Sequence, residues 1–166
     1  VDKTGNPLPW MNYCVIDFLR DRLTAESRVF EFGGGQSTLF FSSLALSVTT
    51  VERDPVYHEV LNNQIPSNVR LLHRPEEEDY VSSLTTCKDQ FDLILVDGHY
   101  RERCLLLAAE KLTERGIIVL DDCDRKEYSL AIRDLRLRGF RSLRLNGLGP
   151  CVFRSKCALV FYRSTL

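Results

Sequence analysis

Three consecutive glycines, Gly33 to Gly35, stand between the apolar run Val29-Phe30-Glu31-Phe32 and the stretch Gln36-Ser37-Thr38-Leu39-Phe40-Phe41. An apolar, aromatic run this short specifies a buried strand. The glycines let the backbone turn tightly and approach a ligand with no Cβ between them. Ser37 and Thr38 are suited to cap a helix expected to run to about Leu46. Strand, glycine turn and helix N-terminus, in that order, make a site for a nucleotide-like ligand. A tri-glycine after a strand is also all that a flexible turn needs, so the rest of the chain must decide.

Five apolar strands alternate with helices. The strands are Val29–Phe32, Ser47–Glu52, Val69–Leu72, Phe91–Asp97 and Gly116–Asp122. Before them, Pro9 opens a helix whose apolar face carries Trp10, Met11, Cys14, Val15, Phe18 and Leu19, with Trp10 in the core or as a lid. Asp54-Pro55 opens another, and Glu76 to Thr86 forms a third with acids in its first turn. Leu105, Ala108, Ala109 and Leu112 share a helical face. So do Tyr128, Ala131, Ile132 and Leu135 before Gly139. Phe140–Leu145 and Cys157–Tyr162 close the chain as strands around a late loop. This rhythm specifies an α/β doubly wound, Rossmann-like sheet, mostly parallel, with helices on both faces.

The 166 residues suit one domain, 1–166, with residues 1–9 as an N-terminal arm. There is no apolar run long enough for a membrane span, and the polar, proline-bearing start is not a signal peptide. Val1 in place of an initiator Met leaves a fragment of a longer protein open. The six cysteines show no metal spacing and sit mostly in apolar positions, which fits a reducing, cytoplasmic setting. Cys151 and Cys157, flanking the late loop, are the pair to check for a bridge. Net charge is −1, but from Arg125 onward ten Lys/Arg face two acids. That basic segment can attract an anionic acceptor, or be a solvated helix face and strand edge.

Acids close four of the central strands, at Glu31, Glu52, Asp97 and Asp121/Asp122. Ligands of open α/β sheets bind at the carboxyl ends of the strands. Helix capping explains one or two such acids, not all four. Glu52 lies 21 residues after Glu31, a spacing at which an acid can accept both hydroxyls of a ribose. A dinucleotide fingerprint would need a third glycine where Thr38 stands.

Glu31-Phe-Gly33-Gly-Gly35, Val51-Glu52, Phe91-Asp-Leu-Ile-Leu-Val-Asp97-Gly98 and Gly116-Ile-Ile-Val-Leu-Asp121-Asp122 together resemble the class I S-adenosylmethionine (SAM) methyltransferases. The resemblance covers most of the chain. It implies a seven-stranded sheet with an antiparallel C-terminal strand. It implies cofactor contacts from Glu31, Gly33, Gly35, Ser37, Glu52 and Asp97, with Glu31 facing the methionine end. Val-Asp-Gly after the fourth strand and Leu-Asp-Asp after the fifth are similar to the catechol-type O-methyltransferases. That likeness implies a divalent metal, such as Mg²⁺, on Asp97, Asp121 and Asp122. Tyr100 stands where that group carries a general-base Lys. His99 is then the candidate base, with Asp97 beside it, because histidine as a residue type titrates near neutral pH.

The expected activity is SAM-dependent methyl transfer to a small-molecule acceptor, at an oxygen. No Asn-Pro-Pro-Tyr motif is present, so a nucleic-acid acceptor is not expected, and neither is a membrane partner. The alternative is a catalytically inactive SAM-binding module of a larger protein. A nucleotide-linked oxidoreductase is a third reading, disfavoured by Thr38.

Overall fold

The computed structural model describes residues 1, 3–150 and 152–163. The chain order is α1 (Tyr13–Arg22), β1 (Arg28–Phe32), α2 (Gln36–Ser42), β2 (Ser47–Glu52), α3 (Pro55–Asn62), β3 (Val69–His73) and α4 (Glu77–Thr86). It continues with β4 (Phe91–Val96), α5 (Arg101–Ala108), β5 (Leu112–Asp121), α6 (Ser129–Leu137), β6 (Phe140–Gly149) and β7 (Val152–Arg163). One seven-stranded sheet has the order β3-β2-β1-β4-β5-β7-β6. The first five strands are parallel, and β7 is antiparallel to both β5 and β6. The strand order reverses between β1 and β4, which places the ligand crevice of an α/β sheet above that pair.

Alternation along the strands sorts the core into two layers. Phe30 and Phe32 of β1 and Ile94 and Val96 of β4 pack under α4, α5 and α6, with Tyr80, Leu105 and Leu135. Val29, Leu93 and Leu95 face the other way, under α1 and α2, with Ile16, Leu19 and Phe41. Both faces of the parallel strands are covered, which is why these segments read as nearly unbroken apolar runs.

Several boundaries depart from the sequence reading. The first helix starts at Tyr13, not Pro9. Asn12 is fully buried, its side chain accepts from Val15 N at 3.1 Å, and its amide donates to Leu145 O at 3.3 Å. Trp10 therefore precedes the helix and is 71% exposed, outside the core. α2 stops at Ser42, where Asn68 donates to the carbonyls of Ser42 and Ala45 and takes over their hydrogen bonding. Leu112 opens β5 rather than ending a helix, because β4 pairs with it at Phe91. Tyr128 lies in a 3-10 turn, Lys126–Tyr128, ahead of α6.

The largest difference is at the C-terminal end. The expected late loop is mostly strand, with Asn146 paired to Cys157, Gly147 to Lys156 and Gly149 to Val152. A Cβ on Gly149 would lie 2.9 Å from Met11 O, and one on Gly147 3.1 Å from Cys14 Sγ. The two glycines let this hairpin lie against the start of α1. Cys151 of the expected bridge lies outside the described residues. Cys157 is a free thiol, 3.0 Å from Cys123 Sγ. Among the described residues no helix is long and apolar enough to cross a membrane.

Candidate active site

Glu31 sits on the face of β1 that lies under α2, fully buried. The hydroxyls of Ser37 and Thr38 donate to its two oxygens, and Thr50 Oγ1 adds a third bond at 2.8 Å. Burial pushes this carboxyl up to about 7; the three hydroxyls pull it down, and the charge of Glu52 pushes it further up. Ser37 and Thr38 thus bind the strand rather than simply capping the helix. The helix N-cap is Gly35, whose N–H reaches Thr38 Oγ1 at 3.0 Å. The acid expected at the cofactor's methionine end anchors the glycine turn from beneath, and Ser37 carries that anchor to the cavity wall.

Glu52 ends β2 on the opposite side of the turn. One oxygen accepts from Gly34 N at 2.9 Å, and the other accepts from Arg53 N at 2.7 Å and Asp54 N at 2.8 Å. Three backbone amides fix its direction while it still lines the cavity. Asp54 caps α3 behind it and brings Tyr57 to the same wall.

At the end of β4, Asp97 pairs with Arg101 at 2.9 Å. The Arg101 guanidinium also donates to the carbonyls of Asp97, Gly98 and Asp121, and so ties the ends of β4 and β5 together. Burial raises the Asp97 carboxyl above its usual range, as does nearby Asp121, against the pull of Arg101. His99 is exposed on the rim. Its N–H donates to Tyr80 Oη at 3.3 Å, and its ring lies against Tyr80 and Tyr100. Tyr100 (φ 50°) and Asp122 (φ 49°) both take left-handed backbone at the strand ends, a costly conformation that clusters at functional sites.

The three expected metal ligands do converge: Asp97, Asp121 and Asp122 offer oxygens within 4.8 Å of one another. The space among them holds the protein's own cations. Lys156 Nζ lies 2.8 Å from Asp121 and 3.3 Å from Asp122. Arg101 and Arg125 reach Asp122 at 3.9 and 3.7 Å. Mg²⁺ demands close octahedral oxygen coordination, and here each carboxylate already has a cation. As these side chains stand, the protein's own cations fill the space a metal would need, and the cluster does not fit a bound Mg²⁺. Among the described residues, Oδ1 of buried Asp121 has no hydrogen-bond partner.

These residues enclose a cavity of about 450 Å³, lined by Gly33 to Gly35, Ser37, Glu52, Asp97 and His99, with Trp10, Tyr57 and Arg101. A second cavity of about 260 Å³, bordered by Asp122, Asp124, Arg154, Ser155 and Lys156, shares Arg125 with the first. Arg101, Arg125 and Lys156 were not singled out from the sequence. Arg101 had a signal, four residues after Asp97 at a helix start. Lys156 had only its place in the basic C-terminal segment, because its position among the acids depends on how far the last hairpin extends.

Residues 30–123, more than half of the chain, match the model of a family described as a methyltransferase domain. No curated protein matches the sequence. Among solved structures, the chain is similar to one described as a precorrin 8W decarboxylase from Methanobacterium thermoautotrophicum, with TM-score 0.67 and 18% identity over 91% of this chain and 88% of that one. It is also similar to an rRNA methylase from Streptococcus thermophilus, with TM-score 0.65 and 12% identity over 92% and 96%. The N-methyltransferase NodS of Bradyrhizobium japonicum, in complex with S-adenosylhomocysteine (SAH), gives TM-score 0.63 and 13% identity over 90% and 85%. At these identities the likeness is one of fold.

Proposed function

This chain belongs to the methyltransferase-domain family, and from that premise we propose that it binds SAM and methylates an oxygen of a small acceptor bearing an anionic group. The observation that carries the reading is the setting of Glu52. Its carboxylate is held by three backbone amides and faces a cavity floored by glycine backbone. A carboxylate fixed in this way can accept both hydroxyls of a ribose. The chain's residues fit such a cofactor, which supplies an electrophilic methyl group on a sulfonium when bound.

Glu31, Ser37 and Thr38 hold the glycine turn in place, and Glu52 orients the ribose. Asp97 and His99 face the acceptor from the end of β4. Methylation of a hydroxyl would form an O–CH₃ bond as the donor's S–CH₃ bond breaks, leaving the thioether SAH and releasing the hydroxyl proton. His99 and Asp97 are the groups positioned to accept it. Arg101 keeps the Asp97 carboxylate in one orientation through its ion pair. The anionic preference is supported by the second cavity, where Arg154 has no acidic partner among the described residues.

The test is calorimetric titration with SAH of the wild-type protein and Glu52→Ala, followed by an acceptor screen. Binding that the variant loses is the expected result. No heat and no competition from SAM would overturn the donor site. The screen compares small hydroxyl compounds with and without a phosphate or carboxylate, and includes RNA because one structural neighbour is an rRNA methylase. SAH binding with turnover on none of them would favour a SAM-binding module over an enzyme.

A further inference from the structure

Lys156 reaches the acid cluster because of its register. Ala158 pairs with Asp121 across β5 and β7, and Lys156 lies two residues further along β7 on the same face. Its side chain is 14% exposed. An ammonium has three N–H donors, and here three acceptors meet it: Asp121 Oδ2 at 2.8 Å, Asp122 Oδ1 at 3.3 Å and the carbonyl of Trp10 at 2.6 Å. No donor is left for a ligand. Arg101, 10% exposed, holds Asp97 from the other side, and Arg125 faces Asp122. Three carboxylates this close repel one another unless matched by positive charge. Three side-chain cations match them one for one.

We propose that Lys156 takes the place a divalent ion would occupy among Asp97, Asp121 and Asp122, and is the positioning residue that joins this acid cluster to the Trp10 arm. The site is then built to work without metal. Lys156 fixes Asp121 and Asp122, and through the Trp10 carbonyl it holds Trp10 on the rim of the larger cavity. Arm and acceptor wall are set by one ammonium. The proposal rests on reading this end of the sheet as the methyl-transfer site, but its test needs neither donor nor acceptor.

Mn²⁺ alone is the probe, followed by loss of its free-ion paramagnetic resonance signal. Wild-type protein is expected to leave the signal unchanged. Lys156→Ala opens the carboxylate cluster and should gain a saturable Mn²⁺ site that a further Asp121→Asn removes. Lys156→Arg keeps the positive charge and should gain none. Trp10 is the sole tryptophan and is already 71% exposed, so its fluorescence anisotropy should fall in Lys156→Ala, reporting release of the arm. A wild-type Mn²⁺ site sensitive to Asp121→Asn would overturn the proposal, as would a folded Lys156→Ala that gains no site. Should Lys156→Ala not fold, the wild-type and Lys156→Arg titrations still decide: Mn²⁺ binding by either overturns it, and exclusion from both upholds it. SAH affinity is measured separately on the same samples, and its absence would count against the methyltransferase reading alone.

Discussion

Gly33 and Gly98 meet backbone against backbone above the point where the strand order reverses. A Cβ on Gly33 would fall 2.5 Å from Gly98 Cα; one on Gly98 would fall 2.8 Å from Gly33 Cα and 2.1 Å from Tyr80 Oη. The closeness of the β1 and β4 ends depends on both side chains being absent. Gly98→Ala should therefore cost about 1–3 kcal/mol in stability, seen as a lower urea midpoint with unchanged slope. Gly35→Ala tests the opposite case. Its Cβ meets nothing nearer than Tyr57 Oη at 3.6 Å, so the fold should hold while SAH affinity falls. Equal loss of stability in the two variants would contradict this account.

Glu31 predicts a specific pH dependence. Burial raises its carboxyl from 4.5 to about 7 in the folded chain. Between those values the folded protein keeps a proton that the unfolded chain gives up. Stability contributed by the protonated form is complete below about 4.5 and is lost as pH rises to about 7, by about 3 kcal/mol. Glu31→Gln should flatten that slope in urea titrations from pH 4.5 to 8. Parallel curves for the two proteins would show that Glu31 is not the source.

Arg101 is the second stability test. It pairs with Asp97 and donates to three carbonyls across two strand ends. Removing one partner of a largely buried ion pair costs about 3–5 kcal/mol, and Arg101→Ala should show a loss of this size by denaturant titration. Arg101→Lys should recover little, because an ammonium cannot reproduce the planar fork of donors. Full recovery by Lys would mean that charge alone matters here.

Arg154 tests the proposed division between acceptor and donor. It borders the smaller cavity without an acidic partner among the described residues. Arg154→Glu should raise KM for an anionic acceptor about tenfold or more, the effect of one charge-assisted hydrogen bond. SAH affinity should stay unchanged. A matched fall in both would place Arg154 in the donor site instead.

The succession of strands and helices, the glycine turn and the acids at the strand ends were legible in the sequence because each is local. A buried parallel strand shows as an apolar run, and a turn at a strand end shows as Gly33–Gly35. Asp54-Pro55 likewise announced its helix. What could not be read depended on distant pairing. Asn12 caps α1 partly because Leu145 O holds its amide, and nothing near Asn12 reveals that. Asp97, Asp121 and Asp122 were correctly brought together by their strand ends, but read as metal ligands. What the sequence does not show is Lys156, which reaches them only because β6 and β7 stay paired beyond Leu145 and Cys157. Glu31 was legible as an acid beside the glycine turn, while its burial under three hydroxyls was not.

The insertion of β7 between β5 and β6 also sets an order of assembly. β1 to β4 pair among themselves through contacts made by the first hundred residues, so the Glu52 side of the site can form early. The acid cluster cannot, because its balancing ammonium arrives on β7, thirty-five residues after Asp121. Until that strand slots in, carboxylates at the ends of β4 and β5 face one another without Lys156. Long-range antiparallel closure is slow compared with local pairing, so completion of the acceptor wall is expected to be a late event in folding. A mutation in the hairpin would then delay the onset of activity in a refolding experiment more than it delays the appearance of secondary structure.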